Sequence, residues 1–133
     1  DNNGRYPHPG DNHPGVKDAN FQGFGRFTTG PAGGYIFRTI RPVPYPGRTP
    51  HIHLIVKHGG KRLLTTQVYI KDFPQNQRDF LYRSLSAPQL AAADFKPLTG
   101  STKGELTAHF DIVLGSAPEN PKDDRMRDFD RPQ

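Results

Sequence analysis

"HIHLIVKHGGKRLLTTQVYI", residues 51–70, decides the fold. Two runs of strand length, rich in apolar and β-branched residues, flank the pair Gly59-Gly60. Glycine takes positive φ without steric cost, so the pair predicts a tight turn and the whole stretch an antiparallel hairpin. Alternation along a strand sends residues i and i+2 to one face. His51 and His53 therefore point the same way, either into a shared site or out to water.

Outward from the hairpin the pattern stays strand-like. "PVPYPGRTP" (42–50) is a proline-rich connection into His51. "GRFTTG" (25–30) and "GGYIFRTIRPV" (33–43) read as two strands around a turn at Gly30-Pro31-Ala32-Gly33-Gly34. Residues 1–25 are loop-like, broken by Gly and Pro, yet Tyr6, Phe21 and Phe24 argue that the segment packs against something. Beyond the hairpin, "PQNQRDFLYRSL" (74–85) predicts a short amphipathic helix from about Pro74, with Phe80, Leu81 and Leu85 at helical spacing. "SAPQLAAADF" (86–95) reads as loop or a brief helix. "GELTAHFDIVLG" (104–115) reads as the last strand, with Leu106, Ala108, Phe110, Ile112 and Leu114 on one face. The expected fold is mainly β, a β-sandwich with long connecting loops and at most a short helix.

Composition agrees with that plan and narrows the function. Hydrophobic residues are only 32% of the 133, while Gly and Pro number 14 each, so long helices are disfavoured and turns must be frequent. The absence of cysteine excludes disulfides, thiolate metal sites and a cysteine nucleophile. The formal charge of +5 implies a basic, solvated surface that suits small anionic molecules, such as aromatic acids. There is no Lys/Arg-rich run of the kind that binds nucleic acid, and no apolar run approaches membrane-spanning length. No signal peptide is visible, and localisation is left open between cytoplasmic and exported.

His51 and His53 admit three readings. They are surface histidines on an edge strand, buried structural histidines, or two imidazole ligands of one metal ion. Tyr45 sharpens the choice. Its flanking Pro44 and Pro46 restrict the backbone and fix the direction of the ring, which suits a ligand better than a surface residue.

The motifs "GRYPHPGD", "NFQGFGRFTT", "GGYIFRTIRPVPYPGRTPHIHLIV" and "LLTTQVYI", in that order, resemble the intradiol ring-cleavage dioxygenases, most closely the protocatechuate 3,4-dioxygenase type and its small stand-alone relatives. The resemblance runs from about Asp1 to Gly115. It implies a catalytic core over residues 1–115 and a charged, extended tail over 116–133. It also implies non-haem iron(III), Fe(3+), held by Tyr6, Tyr45, His51 and His53. Phenolate is a hard anionic donor suited to iron(III), and binding deprotonates a phenol whose ordinary pKa is about 10. Arg48 and Gln67 match the family's arginine beside the iron and its pocket glutamine. The implied reaction cleaves a catechol-type diol with O2 to a cis,cis-muconate-type diacid, with Tyr45 leaving the metal as substrate binds and Tyr6, His51 and His53 remaining.

The other aromatics and histidines read more plainly. Tyr35, Tyr69 and Tyr82 are expected to be packing residues, His58 and His109 structural, and His8 and His13 solvent-exposed near Tyr6. The chain also departs from the family pattern. Almost nothing precedes "GRY", where relatives have strands, so another copy or a complementing N-terminal segment is expected to cover a sheet edge. Gly47 stands where larger relatives carry a bulky pocket residue. Two rival readings are a non-catalytic β-sandwich module that binds carbohydrate or protein, and a zinc or copper site built on His51 and His53.

Overall fold

A computed structural model describes residues 20, 23–85 and 92–115. The element that organises them is the expected hairpin. Strand β1 (His51–His58) and strand β2 (Lys61–Ile70) pair antiparallel around Gly59 and Gly60, both at positive φ (55° and 75°). β2 lies at the centre of a three-stranded sheet, with β1 on one side and the short strand β3 (Ala92–Ala93), parallel to it, on the other. β3 pairs with it at Tyr69 and Ile70, and β2 is buried continuously from Leu64 to Ile70. A separate two-residue ladder joins β4 (Lys96–Pro97) to β5 (Leu106–Thr107). The chain is mainly β, as expected, with one short helix. Among the described residues no helix is long and apolar enough to cross a membrane.

The register gives the sheet two chemically different faces. Ile52 pairs with Val68 and Leu54 with Thr66 on one face, where Val68, Ala93, Leu54, Phe95 and Phe110 pack together. His51 pairs with Tyr69 and His53 with Gln67 on the other. Directly opposed residues of an antiparallel pair approach to about 5 Å between Cβ atoms, so these four side chains form one compact group. The apolar face anchors the sheet; the opposite face is left for polar chemistry. A register shift between Val56 and Lys57 places the extra residue, Leu63, near the hairpin tip and leaves the pairing at His51 and His53 regular.

Several expectations are corrected. The turn at 30–34 is present, closed by Gly33 N–H to Gly30 O (2.9 Å), but the flanking segments form no ladder among the described residues. Side-chain contacts hold them instead. Phe27 meets Phe37 edge-on at 6.2 Å, and the Tyr35 hydroxyl donates to Phe110 O (2.6 Å). The last strand shrinks from 104–115 to β5, because only Leu106 and Thr107 find a partner. Of its expected apolar face, Phe110 and Ile112 are half-buried while Leu106, Ala108 and Leu114 are exposed. His109 is not structural: it is exposed and pairs with Asp111 (2.9 Å). The segment expected as loop or helix contributes β3.

The helix is also divided. A 3-10 turn over Pro74–Arg78 ends at Asp79, whose extended backbone (φ −83°, ψ 122°) restarts the chain as helix α1 (Phe80–Ser84). That break rotates Phe80 off the expected apolar face, and it is 67% exposed. Tyr6, His8 and His13, and the tail from 116 onward, lie outside the described residues.

Candidate active site

The site grows from a four-residue turn. Tyr45-Pro46-Gly47-Arg48 is closed by two backbone hydrogen bonds, Arg48 N–H to Tyr45 O (2.9 Å) and Tyr45 N–H to Arg48 O (3.3 Å). Pro46 presets the second position and Gly47, at φ 78°, supplies the third, the requirements of a type II turn. Gly47 is thus set by backbone geometry, and a Cβ there meets nothing within 4 Å. The turn puts Tyr45 and Arg48 side by side, and Arg48 Nη1 donates to the Tyr45 hydroxyl (3.4 Å).

Three residues further on, the chain enters β1 and the imidazoles join them. The Tyr45 hydroxyl lies 3.3 Å from His51 Nε2, and the His51 and His53 rings are 4.9 Å apart, nearly perpendicular. Both histidines are half-buried. His51 Nδ1 lies 2.7 Å from Thr49 O. A carbonyl only accepts, so Nδ1 carries the hydrogen and Nε2 presents its lone pair towards Tyr45. The Tyr45 hydroxyl can then accept from Arg48 and donate to His51. His51 and His53 are thus half-buried on one polar face beside Tyr45.

Gln67, opposite His53, completes the wall. Its Oε1 accepts from Arg48 Nη2 and from the Tyr69 hydroxyl (3.1 Å). Two donors fix the amide orientation, so Nε2 faces away from both. Among the described residues, buried Gln67 Nε2 and Thr65 Oγ1 have no hydrogen-bond partner. A buried polar atom left unpaired costs about 1–3 kcal/mol. Tyr69 is the buried packing tyrosine expected, 2% exposed and edge-on to Tyr82 at 5.1 Å. Burial, chiefly, pushes its pKa up to about 12, with Arg48 pulling the other way. It therefore remains a neutral donor to Gln67.

The residue that sequence reading missed is Asp79. Its side chain is fully buried against Arg48, with Arg48 Nε 2.9 Å from Oδ2. Burial pushes the carboxyl up, but N–H donation from Tyr82 and Thr49 and the Arg48 guanidinium outweigh it, and the pKa lies below the ordinary carboxylate value. Such a group stabilises the fold above its unfolded value, about pH 4, and loses that contribution as pH falls through the lower folded value. The stability advantage of the wild type over Asp79→Asn, read by denaturant titration, should be flat from about pH 8 to about pH 5 and shrink below about pH 4. An advantage that grew on acidification would mean the carboxyl is not ionised in the fold. The available signal was an Asp directly before "FLYRS", the pattern of a helix N-cap.

Among the described residues no group of three or more His, Cys, Asp or Glu is arranged to hold a metal. The donors brought together are two imidazoles and a phenol. Two donors about 2.1 Å from one ion stand about 3 Å apart, close to the observed separation of Tyr45 and His51.

Residues 1–116 match the family model Dioxygenase_C, described as dioxygenase, and the chain belongs to the intradiol dioxygenase family. It is similar to the protocatechuate 3,4-dioxygenase beta chain of Burkholderia cepacia, 35% identical over 129 residues that cover 89% of this chain and 54% of that protein. It also resembles the hydroxyquinol 1,2-dioxygenase of Nocardioides simplex, 32% identical over 114 residues that cover 67% of this chain and 39% of that protein. The chain thus spans about half the length, or less, of these relatives. No solved structure gives a significant match.

Proposed function

We propose that this protein is an iron(III) intradiol dioxygenase that cleaves a catechol-type diol with O2 to a cis,cis-muconate-type diacid. The observation that carries the reading is the convergence of Tyr45, His51 and His53 on one face of the hairpin, with His51 Nε2 free of its hydrogen and aimed at the Tyr45 oxygen. Family membership over residues 1–116 supports it. We assign the catalytic core to 1–115 and a charged tail to 116–133. In the core Tyr6, Tyr45, His51 and His53 hold the metal.

The donor set fits that ion. Phenolate oxygen is a hard anionic donor that favours iron(III), whereas zinc sites draw on imidazole, thiolate and carboxylate. When bound, iron(III) supplies the means to make a chelated catechol reactive towards O2. The protein's own groups do the rest. The Tyr45 oxygen would accept a substrate proton. Arg48, pinned by Asp79, sets a fixed cation where negative charge builds on the ring. Gln67 Nε2 offers a buried donor to a substrate oxygen. The names of the two relatives, protocatechuate 3,4-dioxygenase and hydroxyquinol 1,2-dioxygenase, support an ortho-dihydroxylated aromatic as the substrate. β1 lies at the sheet edge among the described residues, which supports completion by another copy or an N-terminal segment.

The iron-loaded protein, incubated with catechol or protocatechuate under labelled O2, should yield a muconate-type diacid carrying label from both oxygen atoms. A product cleaved outside the two hydroxyl-bearing carbons would exclude the intradiol reaction. A colourless protein with stoichiometric zinc or copper and no turnover would favour the rival metal site. A metal-free protein that turns over no catechol after iron loading would favour a binding module.

A further inference from the structure

We propose that Asp79 is a positioning residue of the active site, which through a single carboxylate oxygen holds both the Arg48 guanidinium and the Thr49 peptide that fixes the tautomer of His51. The inference rests on the proposed iron site for its functional meaning, but not for its geometry.

Asp79 divides its two oxygens between two tasks. Oδ1 accepts from the Leu81 and Tyr82 backbone N–H groups (2.9 and 3.1 Å) and caps α1. Oδ2 accepts from Arg48 Nε and from the Thr49 N–H, both at 2.9 Å. Four donors use the roughly four lone-pair positions of an ionised carboxylate, so no acceptor capacity is idle.

Each bond at Oδ2 leads to the site. Arg48, gripped through Nε, is left with Nη1 for the Tyr45 hydroxyl and Nη2 for Gln67 Oε1. Its guanidinium is also seated over the Phe80 ring, 5.9 Å from the centroid, so α1 and the cation are one unit. Thr49 is clamped twice, by Asp79 at its N–H and by Asn76 Oδ1 at its hydroxyl (2.7 Å). Asn76 is itself tied to Ile70 O at the end of β2 (2.9 Å). The Thr49 carbonyl is therefore fixed, and it takes the hydrogen of His51 Nδ1. A ligating histidine owes its tautomer and ring direction to the partner of its other nitrogen, and loss of such partners costs about 10- to 100-fold in metal affinity or activity.

Capping alone does not explain the residue type. Asn and Ser cap helices about as well as Asp, using one oxygen. Only an acid supplies a second acceptor that also neutralises a buried arginine. Asp79→Asn and Asp79→Ser thus keep the cap and remove the arms at Oδ2. In Asp79→Asn an NH2 group opposes two donors.

Long-range 1H–15N spectra of the full-length, metal-free chain read the tautomer directly. Wild type should show His51 as the Nδ1–H form, and both variants should show a mixture with the Nε2–H form. In the iron-loaded chain, kcat should fall about 10- to 100-fold with KM changed far less. An unchanged His51 tautomer in a folded variant would overturn the proposal, whether or not the protein cleaves catechols. Failure of wild-type turnover with the tautomer shift intact would instead overturn the proposed reaction alone. If neither variant folds, wild type decides: its Arg48 Nε–H must appear as a resolved resonance in slow exchange at neutral pH, and its absence would overturn the proposal.

Discussion

Alanine at His51 should cost the protein most of its iron, and alanine at His53 should do the same. Each change removes one of four proposed protein donors, and the donors that remain include no carboxylate or thiolate to take its place. Loss of an outer partner of a ligand already costs about 10- to 100-fold, so loss of a ligand should lower retained iron by more than about tenfold. At His51 two further bonds fail together. The Thr49 carbonyl loses its donor and the Tyr45 hydroxyl its acceptor. His109→Ala is the matched control, since that histidine is exposed and pairs only with Asp111 among the described residues. Metal analysis after gel filtration, with the visible spectrum, reads the result. Full iron and colour in His51→Ala or His53→Ala would remove that imidazole from the centre.

The second large effect concerns turnover without loss of metal. Tyr45→Phe should keep the iron, and keep the charge-transfer colour supplied by Tyr6, while the rate falls by about 10²- to 10⁴-fold, the usual cost of a lost acid or base. Arg48 Nη1 lies 3.4 Å from the Tyr45 oxygen and offers it a hydrogen-bond partner independent of any metal. A cation beside a phenolate stabilises it off the metal as well as on it. Tyr6→Phe should change the spectrum both before and after anaerobic addition of catechol. Tyr45→Phe should change it chiefly before. Identical spectra and identical residual rates for the two variants would end the division of roles, even with both tyrosines as ligands.

What could be read from the sequence was whatever depends on neighbours in the chain. The hairpin was legible because strand alternation and a Gly-Gly turn are local signals, and His51 and His53 fell on one face by parity alone. Tyr45 stood out through its flanking prolines and Arg48 only through the family resemblance; the turn that sets them side by side, written in Pro46 and Gly47, went unread. The strands expected at 25–30, 33–43 and 104–115 were over-read. An apolar rhythm shows that a segment can be extended, but not that another strand lies beside it. Phe80 was misplaced because the break at Asp79 resets the helical phase. Asp79, inside the expected amphipathic helix, drew no reading of its own. Its meaning comes from Arg48 and Thr49, about thirty positions earlier in the chain, and no periodicity carries that distance.

The displaced residue Leu63 bears on how this protein can be altered by design. Between His51 and Val56 the ladder is regular, and one residue inserted there would turn both imidazoles onto the apolar side. Beyond the shift, Lys57, His58, Gly59, Gly60 and Lys61 are all exposed, and no buried backbone depends on their number. An affinity tag, a fluorophore or a surface tether would be grafted between Gly59 and Gly60, the described loop best placed to change length while the histidines keep their aim.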